Sequence, residues 1–441
     1  MAKTRKSLRA AGALALASAL LVACGSNADD SASTTEPAPL ANGEVAKFTW
    51  YHRIPDKKGN KTLQELVDEF NKENPDIEVV PERMQGSADE SYAKISTMVQ
   101  AGKDVPCLAQ IGFERVPDMM QYMDDVTKYT DQYKDNYIPF LYDKAGVGGK
   151  QFGFPQGASP IVFYYRADLF EEMGLKVPTT WDEYKEMAKI VQDKSGGKQY
   201  LGAFLTDEVK WQDALSTSEG AKWFGLDGDK WKVNIDSPET QKVADYWQGL
   251  VDDKLVIPAQ RWGQDFGKYL QDGTILSTVG GSWEAPLIAD TAPEGEGKWK
   301  VAQIPHFDAS ETAVGQNGGT MAGVLKGCQY PEQAVKFANW WATNVDGLAG
   351  LGLLPASKVD SIETPANLKS YFSGQDIYPE FIQANKNAPQ VMWGPQVGKP
   401  LDAMANQLKL VGNGGTVQEV YKTGQSTAVD AMKSVGLEVK E

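Results

Sequence analysis

Aromatic side chains are the residues of this 441-residue chain whose types and positions say most about its chemistry. The chain contains twelve Trp, seventeen Tyr and fifteen Phe, and several Trp residues stand beside Gly or Pro, where loops and strand ends are expected. An indole plane covers the apolar C–H face of a pyranose ring, while carboxylates, amides and Arg side chains bind the hydroxyls around it. This pattern predicts a binding site for a neutral saccharide.

Two predicted loops combine aromatic and acidic candidates. Trp283 and Glu284 follow the apolar run 275–279, and Trp262 and Asp265 flank a glycine in the segment RWGQD. We expect the indoles to stack on sugar rings and the carboxylates to accept sugar hydroxyls. The alternatives are core packing for each Trp and a solvent-facing position for Glu284.

Polar candidates also follow the first and third predicted strands. His52 and Arg53 leave the first strand, and Glu114 leaves the third. The carboxyl ends of parallel strands are where α/β proteins bind ligands, so these side chains are expected to face the site. Gly318, just before a later strand, would let the backbone approach a ligand. The alternatives are a surface position for His52 and a hinge role for Gly318.

The composition argues against imidazole catalysis, against a metal cage and against nucleic-acid binding. The chain has two histidines, three cysteines, and 59 acidic against 44 basic residues, a net charge of −15. Nucleic-acid affinity depends on Lys and Arg that displace counterions, and no basic run follows the first 23 residues. We therefore expect no cofactor, no metal and no nucleic-acid partner. An extracellular glycoside hydrolase stays open, since it needs only two carboxylates in a sugar cleft.

The first 23 residues have the organisation of an export signal. Four Lys and Arg residues among the first nine precede an apolar stretch, 10–22, that is too short to span a bilayer comfortably. The sequence LVAC at 21–24 resembles the bacterial lipobox, which implies cleavage before Cys24 and lipid attachment to its sulfur. A plain secretory signal that happens to contain Cys24 is the alternative.

Residues 24–44 are predicted to be a disordered tether. They are rich in Ser, Ala, Thr, Asp and Pro and contain almost no large apolar side chain. A flexible chain of this length would hold the folded part about 25 Å from the lipid. The expected location is the extracellular face of the bacterial cell membrane, through a lipid anchor.

Strand and helix patterns alternate along the folded part, as in α/β proteins with parallel strands. Three short β-rich runs are predicted strands: 45–51, 77–81 and 107–111. Four helix starts carry capping boxes or an N-terminal proline: Thr62, Thr180, Ser237-Pro238 and Thr416. Five Trp residues lie on strand or helix patterns and are assigned to the core: Trp50, Trp181, Trp247, Trp340 and Trp341.

Five segments, in this order, resemble the family 1 extracellular solute-binding proteins of ABC importers, the relatives of maltose-binding protein. They are ELVDEFNKENPDIEV (65–79), GKQFGFPQGASPIVFYYRADLFEEMGL (149–175), PTTWDEYKEMA (178–188), GGSWEAP (280–286) and PEQAVKFANWWA (331–342). Each segment alone is weakly specific, but together they span nearly the whole mature chain. The sequence departs from the family at Pro106-Cys107, where the family usually has Pro-Asp.

The resemblance implies an α/β, two-lobed periplasmic-binding-protein-like fold, each lobe a central β-sheet flanked by helices, joined by a hinge of crossing strands. By analogy, residues 45–154 and 318–350 form the N-terminal lobe, and residues 155–317 and 351–441 form the C-terminal lobe. The ligand would lie in the cleft between them. The same resemblance places Trp283 at the family's stacking position and Trp393 and Trp211 at further aromatic positions of the cleft.

The resemblance also implies a disulfide. With Cys24 lipidated, Cys107 and Cys328 are the remaining pair in an oxidising exterior. In the family topology Cys107 begins the third strand, and Cys328 ends the antiparallel strand beside it, so the two ends should meet. Two separate buried thiols are the alternative.

These expectations combine into a non-enzymatic, lipid-anchored binding protein. Its ligand would be a neutral oligosaccharide, and its partners, implied by the family, would be ABC permease subunits with a separate ATPase. We expect a monomer. The alternatives are an extracellular glycoside hydrolase and a solute-binding protein for a non-sugar ligand such as a polyamine. Sparse Arg and Lys near the candidate loops argue against a phosphorylated ligand.

Overall fold

A computed structural model describes residues 40–440, except residues 42 and 57–59. The predicted signal segment, Cys24 and most of the predicted tether lie outside the described residues. The last tether residue, Glu44, is described, and its carboxylate accepts a hydrogen bond from the Tyr330 hydroxyl at 3.2 Å. Glu44 therefore contacts the folded part. Among the described residues, no helix combines the length and apolar character needed to cross a membrane.

Strands are distributed along the whole described part. They are β1 (Ala46–His52), β2 (Ile77–Arg83), β3 (Leu108–Gly112), β4 (Gly146–Val147), β5 (Lys150–Gln151), β6 (Gly153–Gly157), β7 (Ile161–Arg166), β8 (Gly202–Leu205), β9 (Phe224–Asp227), β10 (Lys230–Val233), β11 (Val256–Ala259), β12 (Ser277–Gly281), β13 (Trp299–Ala302), β14 (Thr320–Val324) and β15 (Val439–Lys440). The three predicted strands correspond to β1, β2 and β3 and are confirmed.

Helices separate most of these strands. They are α1 (Leu63–Glu73), α2 (Ala88–Ala101), α3 (Val116–Met119), α4 (Thr127–Thr130), α5 (Pro139–Asp143), α6 (Ala167–Glu172), α7 (Trp181–Ser195), α8 (Val209–Ser218), α9 (Pro238–Asp252), α10 (Gln264–Asp272), α11 (Ala285–Thr291), α12 (Pro331–Thr343), α13 (Val345–Gly350), α14 (Ala366–Tyr371), α15 (Tyr378–Lys386), α16 (Gly398–Leu408) and α17 (Val417–Ser434). Short 3-10 helices include Phe113–Arg115 and Ser282–Glu284.

The helix starts follow from side-chain capping. Each predicted capping box forms, with the Glu side chain bonded to the N-cap backbone: Thr62 with Glu65, Thr180 with Glu183, and Thr416 with Glu419. Ser237 caps α9, which has Pro at its first position. A further box, Ser87 with Glu90, begins α2 and was not predicted. These caps satisfy backbone N–H groups that the first helical turn leaves unpaired.

The first lobe is built on a five-stranded sheet with the order β2-β1-β3-β14-β6. β1 pairs in parallel with both β2 and β3, whereas β14 is antiparallel to β3 and to β6. One core of this lobe is aromatic: the Trp50 ring lies 4.8 Å from Trp341 and 5.2 Å from Phe337. The predicted core positions of Trp50 and Trp341 are confirmed.

The second lobe contains three groups of strands, one of which is the sheet β15-β10-β9. β7 lies between β12 and β13, both antiparallel to it, and β8 pairs in parallel with β11. A parallel bridge between Tyr200, just before β8, and Ile275, just before β12, links these two groups. Trp181 of α7 and Trp247 of α9 are buried with their ring centres 5.6 Å apart, which confirms their predicted core positions. Trp340, in the first lobe, is only half-buried and packs on Phe70.

Crossing segments connect the two lobes. The segment between β6 and β7 is hydrogen-bonded to the segment before β14: the Asn317 N–H donates to the Ser159 oxygen at 2.8 Å, and the Ile161 N–H to the Gly315 oxygen at 3.0 Å. A third crossing segment, around Leu354, pairs with the segment between β6 and β7: the Ala158 N–H donates to the Leu354 oxygen. The predicted α/β fold with a hinge of crossing strands is confirmed, while the exact lobe boundaries stay a prediction.

A disulfide joins Cys107 and Cys328, whose Cα atoms are 4.5 Å apart. Cys107 directly precedes β3, and the chain after β14 returns to it, since the Leu325 N–H donates to the Cys107 oxygen at 2.9 Å. The pairing implied by the family topology is therefore confirmed. It ties together the ends of two adjacent strands of the first lobe.

Candidate functional site

The carboxyl ends of β1 and β3 carry charged candidates of the first lobe. Arg53 directly follows β1, and the parallel pairing of the two strands places it beside β3. Its guanidinium lies over the Tyr92 ring, 5.1 Å from the ring centre, and donates to the Tyr92 hydroxyl at 3.2 Å. The Arg53 backbone N–H donates to the Gln110 side chain at 2.7 Å. Arg53 is thus held in place while part of its side chain stays exposed.

Glu114 and Lys210 form an ion pair between the lobes. Glu114 lies in the 3-10 helix after β3, and its carboxylate is 3.6 Å from Lys210 Nζ on α8. The Lys210 side chain is 37% exposed and that of Glu114 only 6%, so the pair lies at the edge of solvent. The negative charge of Glu114 is the main cause of the raised pKa of Lys210. The pair offers a hydrogen-bond acceptor and a donor to a polar ligand.

Asp213 lies one helical turn further along α8 and is almost fully buried. It accepts a hydrogen bond from the Thr217 hydroxyl at 3.3 Å. Burial raises the pKa of Asp213 to about 7, and the Lys144 ammonium opposes this shift. Burial also lowers the pKa of Lys144. Acidic and basic side chains thus balance each other in this part of the site, which suits a neutral polar ligand.

Trp283 is held against the hinge. It lies in the 3-10 helix after β12, and its indole N–H donates to the backbone oxygen of Asn317 at 2.9 Å. The indole folds back over Gly281, where a Cβ would overlap its nitrogen. A glycine is therefore required at this position of the GGSWEAP segment. The Trp283 ring is half-buried, so part of its surface is accessible.

Trp262 adopts a left-handed backbone conformation, with φ of 59°. Such values are rare for residues other than glycine and are found disproportionately at binding sites, because surrounding contacts must maintain them. The guanidinium of Arg261 lies over the Trp262 and Phe266 rings, 5.0 and 4.8 Å from their centres. Trp262 is half-buried, which leaves part of the indole accessible.

Trp393 is half-buried in the segment before α16. Its ring meets Trp223 edge-on, with centres 6.2 Å apart, and lies 6.2 Å from Phe224. The neighbouring backbone of Met392 pairs with Phe224 on β9. Trp393 is therefore anchored to the β9–β10 strand pair, whereas Trp262 and Trp283 are anchored near β12 and the hinge.

Two predicted ligand contacts, Trp211 and His52, lie in the interior. The Trp211 indole donates to the Val279 oxygen at 3.1 Å, and its ring packs 4.9 Å from Trp247. Every residue of α8 other than its lysine is buried, so the polar neighbours of Trp211 do not mark a surface. His52 packs 5.2 Å from Trp50, and burial lowers its pKa to about 4. We correct both residues to packing positions.

Glu284 is fully buried, so it does not reach a ligand in the cleft. Its carboxylate forms an ion pair with the equally buried Arg261. It also accepts hydrogen bonds from the Gly281 N–H at 3.0 Å and from the Asn317 amide at 3.3 Å. Burial lowers the pKa of Arg261 to about 10, which leaves the guanidinium charged at neutral pH. The prediction that Glu284 contacts sugar hydroxyls is therefore wrong. Its carboxylate instead links Arg261, the end of β12 and Asn317 to one another.

The remaining candidates, Asp265 and Gly318, lie at the surface or beside open space. Asp265 is exposed in the first turn of α10. Gly318 has φ of 100°, and a Cβ placed on it would have no atom within 4 Å. The positive φ therefore favours glycine at position 318, and the space beside this residue is open.

Four residues that shape the site were not predicted: Lys144, Lys210, Asp213 and Arg261. Lys210 and Arg261 each precede a candidate Trp in the sequence, which is the one local signal that could have indicated them. The expectation of few cationic side chains near the loops is wrong. The cations are present, but each lies near a carboxylate from another part of the chain, and sequence order does not show such pairs.

Comparison with known proteins identifies the family. The profile of the bacterial extracellular solute-binding proteins matches residues 55–346. The arabinooligosaccharide-binding protein of Halalkalibacterium halodurans is 22% identical over 62% of this chain and 63% of its own length. The chain thus matches somewhat less than two thirds of that curated relative. A maltooligosaccharide ABC transporter solute-binding lipoprotein of Streptococcus pneumoniae is 24% identical over 92% of this chain and 94% of its own.

A solved structure is similar over nearly the whole described part. It is the galacto-N-biose/lacto-N-biose I-binding protein of the ABC transporter from Bifidobacterium longum, in complex with lacto-N-biose. It is 32% identical, with a TM-score of 0.86, and the match covers 91% of this chain and 100% of that one. Its fold and the family profile agree with the lobes and hinge described above. This chain belongs to the family of bacterial extracellular solute-binding proteins.

Proposed function

We propose that this protein captures a neutral oligosaccharide between its lobes and delivers it to an ABC importer. The observation that carries the proposal is the half-buried Trp283, held at the hinge by its indole N–H and presenting part of its ring. The ion pair between Glu114 and Lys210 supplies hydrogen-bonding groups from both lobes. The arabinooligosaccharide- and maltooligosaccharide-binding relatives and the lacto-N-biose complex support a saccharide as the ligand.

The proposed contacts divide by chemistry. Trp262, Trp283 and Trp393 provide apolar faces for sugar rings, and Arg53 and Glu114 bind hydroxyl groups. Gly318 lets a sugar approach the backbone, and Asp265 contacts ligand groups that extend past Trp262. A ligand that touches both lobes stabilises the closed form more than the open one, so the hinge equilibrium shifts toward closure.

A ligand screen tests this function. The folded protein is mixed with lacto-N-biose, maltooligosaccharides, arabinooligosaccharides, a polyamine and an organic phosphate, and the melting temperature and Trp fluorescence are recorded. We expect a rise in melting temperature with one of the saccharides only, confirmed by calorimetry, with the sugar recovered intact. A response to the polyamine or phosphate alone would replace the saccharide by a charged ligand. Release of sugar products would indicate a glycoside hydrolase.

The anchor is a second part of the proposal. We propose that Cys24 carries the lipid and that a permease with a separate ATPase accepts the ligand. The lipoprotein relative from Streptococcus pneumoniae supports the anchor. Cells that express the full chain are labelled with an alkyne fatty acid, and Cys24→Ala is the matched variant. We expect label and membrane association only with Cys24 present. Equal membrane association of the variant would contradict the anchor.

A further inference from the structure

Buried polar side chains connect the two segments of the second lobe that carry Trp262 and Trp283. Arg261 and Glu284 form an ion pair with their side chains 1% and 0% exposed. The pair lies over Gly280 of β12, where a Cβ would overlap both side chains. Arg261 also donates from Nη1 to the Thr278 hydroxyl at 2.7 Å, and its backbone N–H donates to the Asp207 carboxylate at 2.8 Å. The loop that carries Trp262 is therefore fixed to β12 from one side.

The connection continues from Glu284 to the hinge through Asn317. The buried Asn317 amide donates to Glu284 Oε1 at 3.3 Å, and its backbone N–H donates to the Ser159 oxygen of the opposite crossing segment at 2.8 Å. Its backbone oxygen accepts the Trp283 indole N–H at 2.9 Å. One hinge residue thus contacts the ion pair, an indole and the second crossing segment.

We propose that Arg261, Glu284 and Asn317 are positioning residues that set the orientation of Trp262 and Trp283 from the hinge. Arg261 maintains Trp262 through its contact with the ring, and Asn317 maintains Trp283 through the hydrogen bond to the indole. The proposal rests on the proposed function in that both indoles are taken as saccharide contacts. A sugar then meets rings that are already oriented, which reduces the ordering cost of binding.

Two variants break the connection without removing an aromatic ring. Asn317→Ala removes the amide that donates to Glu284 and keeps the backbone oxygen that accepts from Trp283. Glu284→Gln keeps the side-chain length and one acceptor oxygen and removes the charge that pairs with Arg261. The matched control is Asp168→Asn, which breaks another ion pair of the same lobe, with the buried Arg166 at 2.6 Å.

The decisive readout is the indole N–H resonance of Trp283 in protein labelled with ¹⁵N-tryptophan, assigned with Trp283→Phe. We expect Asn317→Ala and Glu284→Gln to shift this resonance in the free protein and to weaken saccharide binding roughly tenfold, as for other coupled neighbours. The double variant should lose little more than either single variant, because both break one connection. Asp168→Asn should lower the melting temperature and change neither the resonance nor the affinity.

An unchanged Trp283 resonance in both variants would overturn the proposal. So would an affinity loss in Asp168→Asn as large as theirs, because it would show a general effect of lost stability. If Glu284→Gln does not fold, Asn317→Ala decides, since it removes one side-chain hydrogen bond. If the native chain binds no saccharide, the proposed function fails, and the resonance shifts in the free protein still decide whether these residues orient the indoles.

Discussion

The two lobes prepare a ligand site in different ways. In the first lobe, Arg53 and Glu114 follow β1 and β3, so regular strand pairing fixes their positions. In the second lobe, Trp262 lies in a loop and Trp283 in a short 3-10 helix, and a buried ion pair with a hinge contact fixes them. Polar positions at strand ends therefore follow from topology, whereas the aromatic positions depend on side chains brought together only by the complete fold.

The largest expected effect concerns the stability of the first lobe and not its ligand contacts. Replacing both Cys107 and Cys328 by Ser removes a disulfide across a separation of 221 residues. In the chain-entropy description, this lowers the free energy of unfolding by about 5 kcal/mol. Urea unfolding with and without reductant measures it, and reductant should have no effect on the double variant. Saccharide affinity should stay unchanged, and a parallel fall would show that strand pairing alone does not fix Arg53 and Glu114.

The second-largest expected effect is on how stability depends on pH, and it comes from Asp213 in the second lobe. The pKa of Asp213 is raised from 3.8 to about 7 in the folded protein, so between these values the folded state binds more protons than the unfolded state. Asp213 therefore reduces stability as pH rises from about 4 to 7, by up to about 4 kcal/mol. Asp213→Asn should flatten this part of the stability curve, measured by urea unfolding at several pH values. The exposed Asp193→Asn is the control, and an equal slope in both variants would contradict the prediction.

The third prediction concerns the aromatic surface of the second lobe. Trp283→Ala removes the ring that we propose stacks on the sugar, and we expect the affinity to fall about a hundredfold, as for buried aromatic hot spots. Isothermal titration calorimetry measures it. Trp231→Ala, at another half-buried Trp of the same lobe, should leave affinity nearly unchanged. Unchanged binding by Trp283→Ala would mean that the sugar contacts a different surface.

The smallest effect tests the contact between the lobes. Lys210→Gln removes the cation that pairs with Glu114, and we expect up to about fivefold weaker binding, because ion pairs at the edge of solvent contribute about 1 kcal/mol or less. Calorimetry at low and high salt should show that salt weakens binding by the native chain more than by the variant. Lys189→Gln, which removes an exposed ion pair on α7, is the control. Equal salt dependence of the native chain and Lys210→Gln would contradict a role in closure.

Local sequence signals predicted much of the fold. The capping boxes at Thr62, Thr180 and Thr416 begin helices where expected, because each depends on residues three positions apart. The disulfide was predictable because the family resemblance supplied the strand order that brings Cys107 to Cys328. These features require either short-range contacts or a known topology.

The site was less predictable because some side chains that were predicted to contact the ligand are buried within the protein. Trp211 lies in a helix that is buried around its circumference, so no amphipathic pattern separates ligand from core. Glu284 binds Arg261 instead of solvent or ligand. No sequence pattern specifies that these two charges meet, because 22 intervening residues form a helix and a strand that return the chain to the same place.

The disulfide has a consequence for proteolysis outside the cell. The covalent ring that it closes contains residues 107–328, that is, β3 to β14 and two of the crossing segments. A single protease cut anywhere inside this ring leaves both fragments in one covalent molecule while the bond is intact. The nicked receptor then retains both walls of its cleft, and only reduction allows the pieces to diffuse apart.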